Sequence, residues 1–197
     1  MELKNSQTFK NLINSYAGEC QAHVRYQFLA YAAKEKKLFE VEKTIQEIVK
    51  NEFNHARMFY TAIQSADQNT LENLEICSGF PFKEKWDFLK NFEFAIQNET
   101  YEHTKIYPEF AQIAKNEGLT NIADLFELIL NVEECHKKIL TQLHTQISSG
   151  TLYKRNSPIK WKCSECGHEA TLEQAWEVCP LCKSPQGYVM LNLSDGN

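Results

Sequence analysis

Apolar residues recur at steps of three and four from the start of the chain to about residue 148, with few Gly or Pro, which is the period of long amphipathic helices. Four helices are predicted, near 5–36, 38–66, 82–117 and 119–148. The join between the first two is short, which makes them antiparallel neighbours. The stretch 67–81, with Ser78, Gly79 and Pro81, is long enough for a crossover. The third helix turns tightly into the fourth at Asn116-Glu117-Gly118, where Gly118 supplies the left-handed residue that ends many helices. At Ser148 the period stops. The predicted organisation is an all-α bundle over 1–148, a linker over 149–158 and a small module over 159–197 that holds two of the three Trp and all the paired cysteines.

When each helix's inward seam is traced, charged residues fall inside apolar lines. The second helix gives Val41, Ile45, Ile48, Glu52, His55, Phe59 and Ala62; the fourth gives Ile122, Phe126, Ile129, Glu133, His136, Leu140 and Leu143. The third gives Phe88, Phe92, Ala95, Glu99, Glu102 and Ile106. The first, less regular, gives Phe9, Leu12, Tyr16, Glu19, His23, Tyr26, Ala30 and Ala33. Residues at i and i+3 lie roughly 60° apart and about 4.5 Å along the axis, so such a pair can grip one ion. One Glu-x-x-His on a helix is ordinarily a coincidence on a solvated face. Two copies, with Glu-x-x-Glu and Glu19 at the matching level, are not.

Five carboxylates meeting in the middle of a bundle repel one another, and burying even one costs several kcal/mol without a counter-charge. Two divalent cations bring four positive charges and leave the histidines as neutral donors. Oxygen and imidazole ligands suit iron or manganese without excluding zinc. A Glu from each of two helices and Glu-x-x-His from each of the other two is the ligand pattern of ferritin-like dinuclear bundles.

Cys163-Ser-Glu-Cys166 and Cys179-Pro-Leu-Cys182 form two CxxC loops that can enclose one metal in four thiolates, zinc or iron alike. Cys20, Cys77 and Cys135 are scattered and read as small apolar fillers. The formal charge of −5 and the lack of a basic cluster argue against nucleic acid. The polar first residues and the lack of a long uncharged apolar run lead to the expectation of a cytoplasmic protein with no membrane partner.

Taken together, Glu19-Cys-Gln-Ala with Tyr26, Asn51-Glu52-Phe-Asn-His55-Ala, Glu99-Thr-Tyr-Glu102 through Tyr107-Pro-Glu-Phe, Val132-Glu133-Glu-Cys-His136, and the CxxC loops followed by Pro185-Gln-Gly-Tyr resemble the rubrerythrin family over nearly the whole chain. The resemblance implies a ferritin-like four-helix bundle followed by a rubredoxin-like four-cysteine domain. It implies two non-haem irons held by Glu19, Glu52, His55, Glu99, Glu102, Glu133 and His136, one iron in the cysteine site with zinc as a possible substitute, and an exchange between His55 and Glu102 as ligands. This chain departs from the family in carrying Cys20 and His23. Cys20 reads as an inert packed thiol, His23 as a neighbour of the ligands, and Tyr26 and Tyr107 either as donors to ligand carboxylates or as buried structural residues. His103, His144 and His168 read as surface residues.

The implied activity is reduction of hydrogen peroxide to water, with electrons passed from NAD(P)H through a separate reductase or a rubredoxin to the cysteine-bound iron. No Gly-rich dinucleotide loop is present in the chain itself. A head-to-tail homodimer is implied as well. Two other readings stay open: iron oxidation and storage in the ferritin manner, and a zinc-filled structural module beside a bundle that handles iron or oxygen alone.

Overall fold

The computed structural model describes residues 2–67, 72–76 and 87–193. Helix α1 spans Gln7–Glu35 and begins where the Ser6 hydroxyl accepts from the Phe9 N–H; α2 spans Phe39–Gln64. Between them Lys37 adopts a left-handed φ of 59°, and the turn closes with Leu38 N–H donating to Ala33 O. Helix α3, Phe88–Tyr101, was expected to begin near 82. Asp87 is extended instead, and its carboxylate accepts from the Lys90 N–H of the first turn, which sets the start at Phe88. The residues just before it, like Cys77 and most of the expected crossover, lie outside the described residues.

A π-helical turn over Glu102–Ile106 joins α3 to α4, Tyr107–Asn116, so the third predicted helix is continuous but carries one extra residue in its ladder. This moves the inward seam. Past Glu102 the buried positions are Tyr107, Ala111 and Ala114, and Ile106, expected to face inward, is only half-buried. Helix α5, Thr120–Ser148, follows a turn in which Gly118 takes φ 79°. In the same turn the Glu117 carboxylate accepts from the N–H groups of Gln7 and Thr8 and from the Thr8 hydroxyl, tying this end of the bundle to the start of α1.

The core consists of two apolar clusters stacked along the bundle. One holds Tyr26, Leu29, Ile45, Ile48, Phe92 and Leu140; the other holds Leu12, Phe59, Tyr107, Phe126 and Ile129. On every helix the predicted carboxylates fall between a stretch in one cluster and a stretch in the other. On α1 the seam differs from expectation: Ser15 and Ala22 are buried where Tyr16 and His23 were placed, and those two are half-buried.

The cysteine module is an antiparallel pair, β1 (Lys154–Lys162) and β2 (Glu169–Gln174), aligned Trp161 to Ala170, over a small core of Trp161, Ala175 and Val189. Strand β1 begins inside the stretch read as linker, and Leu152 is buried in the bundle's own cluster, with Tyr153, Leu191 and Leu193 packed against it. The module therefore sits on the α1–α2 turn. There Tyr188 stacks on Phe39 with ring centroids 4.3 Å apart, and Gly187 approaches the Lys37 carbonyl too closely for any Cβ. Among the described residues no helix is long and apolar enough to cross a membrane.

Candidate metal centres

Six of the seven predicted bundle ligands converge in two overlapping groups. Donor atoms of Glu19, Glu52, His55 and Glu133 lie within 4.8 Å of one another, as do those of Glu52, Glu99, Glu133 and His136. Glu52 and Glu133 belong to both. All six are buried. The histidines turn the same nitrogen inward: His55 Nδ1 lies 3.0 Å from Glu133 Oε1 and 3.6 Å from Glu19 Oε2, and His136 Nδ1 lies 2.8 Å from Glu133 Oε2 and 2.9 Å from Glu52 Oε1.

Electrostatics show what the cluster lacks. Burial first, and neighbouring carboxylates next, push Glu52 and Glu102 well above the usual carboxylate range. Burial lifts Glu99 to about 7. Burial works to lower His55, but Glu133 and Glu19 beside it prevail and raise it to about 9. Burial works to raise Glu133, yet the hydrogen bond with His136 and the nearby His55 imidazole hold it at about 2. Left to itself, the cluster must keep protons at neutral pH. Several inward atoms, namely Glu19 Oε2, both Glu52 oxygens, Glu99 Oε2, Glu133 Oε1 and His55 Nδ1, have no hydrogen-bond partner. Orphaned donors facing one another in a dry pocket are what a pair of divalent cations would satisfy, and the oxygen and imidazole set fits iron.

Glu102, the seventh, is buried on the π turn but belongs to neither group. Its Oε1 accepts from Asn98 Nδ2 at 3.2 Å, and its Oε2 is unpartnered. A π turn at this point re-aims the side chains around it, as such turns often do at functional sites. Both tyrosines are buried and donate to carboxylates of the cluster: Tyr26 to Glu99 Oε1 and Tyr107 to Glu19 Oε1. His23 does not approach the ligands through its bonded nitrogen; Nδ1 pairs with Val49 O at 3.0 Å. The amides of Asn98 and Asn51, the latter 3.2 Å from His136 Nε2, carry no seam signal because both sit off the apolar lines.

Other residues settle more simply. Cys20 is half-buried beside Tyr16, whose pKa it raises by hydrogen bonding, and Cys135 is exposed, so neither is the packed filler expected. His103 is half-buried with Nδ1 3.2 Å from Leu130 O, His144 lies over Phe92, and His168 over Trp176. None joins a metal group.

In the module the two CxxC loops repeat one geometry. Gly167 N–H donates to Cys163 O and Lys183 N–H to Cys179 O, each from a left-handed residue just after the second cysteine. Likewise Cys163 N–H donates to His168 O and Cys179 N–H to Ser184 O. The Sγ atoms of Cys163 and Cys182 are 3.8 Å apart and those of Cys166 and Cys179 3.7 Å. A tetrahedron with metal–sulfur bonds of ~2.3 Å has edges of about 3.8 Å, so the four thiols are already placed for one metal. Hydrogen bonds from the Ser184 hydroxyl and backbone hold the Cys182 thiol near 6, favouring the thiolate.

Comparison with known proteins agrees with this arrangement. The family model described as Rubrerythrin matches residues 10–144. A rubrerythrin of Clostridium perfringens is 33% identical over 186 residues, 94% of each chain, and one of Nitratidesulfovibrio vulgaris is 34% identical over 191 residues, 96% of each. Among solved structures, nigerythrin in a partially reduced state matches with TM-score 0.62 at 20% identity, covering 98% of this chain and 94% of that one. Mycobacterium tuberculosis bacterioferritin matches with TM-score 0.62 at 20% identity, covering 73% of this chain and 87% of its own, a likeness of fold alone. With two overlapping Glu/His groups in a ferritin-like bundle and four cysteines gathered at its end, the chain belongs to the rubrerythrin family.

Proposed function

We propose that the protein reduces hydrogen peroxide to water, two electrons and two protons per peroxide, at the paired Glu/His site, with electrons relayed from iron in the cysteine module. The observation that carries this reading is the joining, in one chain, of a two-ion carboxylate site and a four-thiolate site. Iron in both would supply two adjacent one-electron reductants in the bundle and a third centre to replenish them.

The protein's own residues suit the rest of the task. Glu52 and Glu133, shared by both donor groups, would hold the two ions together; Tyr26 and Tyr107 fix Glu99 and Glu19. Glu102, buried outside both donor groups with Oε1 held by Asn98 and Oε2 unpartnered, would carry a proton at Oε2 to a departing oxygen, or replace His55 as a ligand.

Along α2 the axis from Phe39, where the module docks, to Glu52 runs about 20 Å at ~1.5 Å per residue. That separation favours delivery of electrons from the module of a second copy, in a head-to-tail dimer. The ultimate donor is NAD(P)H through a separate reductase or rubredoxin. Stopped-flow mixing of the reduced, iron-loaded protein with peroxide, followed at the absorbance of the cysteine-bound iron, is the test. Rapid oxidation is expected, slowed by about 10²-fold or more in Glu102→Ala with the tetrathiolate spectrum intact. A wild-type protein unmoved by peroxide would end the proposal, and a fully active monomer in the ultracentrifuge would end its dimeric part. Iron storage draws support from the bacterioferritin likeness of the bundle, but leaves the cysteine module without a task; a hollow cage, far larger than a dimer on gel filtration, would reverse that preference.

A further inference from the structure

His136 faces two ways. Its Nδ1 is aimed at the carboxylates of Glu133 and Glu52, at 2.8 and 2.9 Å, while its Nε2 points out between α2 and α5, where the Asn51 side-chain amide lies 3.2 Å away. A neutral imidazole has one proton to place. If Nδ1 gives its lone pair to a cation, the proton must sit on Nε2, and Nε2–H then needs an acceptor. The amide presents its Nδ2 end in the structure, which serves only a bare Nε2; a half-turn about the Cβ–Cγ bond brings Oδ1 to the same place without changing the side chain's shape.

We propose that Asn51 is the positioning residue of the Glu52/Glu99/Glu133/His136 metal site, its Oδ1 accepting from His136 Nε2–H when metal is bound. An outer acceptor on a ligand histidine fixes the ring's tautomer and orientation and makes its inner nitrogen a better donor. Neighbouring residues on a helix diverge by about 100°, so Glu52 enters the bundle axis while Asn51, next to it on α2, meets the outer edge of a ring that comes from α5. A carboxylate and an amide in sequence thereby grip the same ion from two sides, one directly and one through the histidine.

This role has an asymmetric consequence. His136 belongs to one donor group and His55 to the other, so losing the outer acceptor weakens one bound ion of the two. The test uses the full-length protein with zinc in the cysteine site and the bundle freed of metal, titrated with cobalt(II) without oxygen and followed by calorimetry and visible absorption. Asn51→Leu, which covers Nε2–H and offers it nothing, is expected to weaken one equivalent by about 10- to 100-fold, nearer the lower figure because position 51 is solvent-exposed, and to leave the other within about twofold. Asn51→Asp, the same shape with acceptors at both ends, should hold that equivalent at or above the wild-type affinity. Two unchanged equivalents in Asn51→Leu, equal weakening of both, or a weaker ion in Asn51→Asp would overturn the assignment. Peroxide and turnover play no part in the measurement, so the result stands apart from the peroxidase proposal.

Discussion

A methyl group at position 187 tests how firmly the cysteine module is held on the bundle. A Cβ on Gly187 would stand 1.9 Å from the Lys37 carbonyl oxygen, 3.0 Å from its carbon and 3.1 Å from Phe39 Cδ2, where ordinary contact begins near 3.4 Å. Relief therefore requires the module to retreat by about 1.5 Å. Lys37 has little freedom to yield, being left-handed at φ 59° with its N–H bonded to Lys34 O at 2.8 Å. Overpacking of this kind costs roughly 1–3 kcal/mol. The retreat also separates Tyr188 from Phe39, a stacked pair worth ~0.5–1.5 kcal/mol. A loss of docking free energy of about 2–4 kcal/mol follows for Gly187→Ala, or roughly 30- to 1000-fold more of the undocked state at 1.4 kcal/mol per decade. Native-state proteolysis reads that population when opening and closing are fast, and the segment 149–153 is the bond set that undocking frees. Cleavage there should accelerate by that factor while the module keeps its metal. An unchanged cleavage rate would refute the view that Gly187 and the α1–α2 turn hold the two parts together.

Phe126→Ala removes a fully buried ring packed on Phe59, Tyr107 and Phe110, and should cost about 3–5 kcal/mol in denaturant unfolding of the metal-loaded protein. The metal-free protein should lose stability as pH rises from about 6.5 to 9. His55, raised from 6.5 to about 9, contributes stabilisation that is complete below the lower value and gone above the upper; Glu99, raised from 4.5 to about 7, acts in the same sense at lower pH. Metal affinity at the bundle should run the other way, rising over that range as ligands shed protons, and denaturant titrations with and without metal across pH will show whether the gap widens. Cys182→Ala should abolish the thiolate-to-metal absorption of the module and leave both bundle equivalents of cobalt(II) in place; loss of bundle metal as well would contradict the independence of the two sites.

The Glu and His residues that converge were legible because their spacing is local. Glu52 with His55 and Glu133 with His136 stand three residues apart, and helical geometry alone puts each pair on one face inside an apolar line. The cysteine pairs were equally plain, since a CxxC loop can present both sulfurs in only a few ways. Less was legible on α1, where Tyr16 and His23 mimic a seam that in fact runs through Ser15 and Ala22; aromatic and imidazole rings count as apolar in a periodic pattern but stay at the edge when smaller residues pack more tightly. Cys135 misled for a similar reason, because residue type states an average burial and not a place on a helix.

Sequence alone determined which carboxylates and histidines share the inward face of their helices and that four cysteines form two chelating loops, for both follow from periods and spacings shorter than two helical turns. Tertiary structure decided the rest. The π turn that replaces Ile106 by Tyr107 and leaves Glu102 outside both donor groups, the tyrosines on Glu19 and Glu99, and Gly187 against Lys37 each depend on contacts between distant segments, whose register is chosen by packing and leaves no period in the chain.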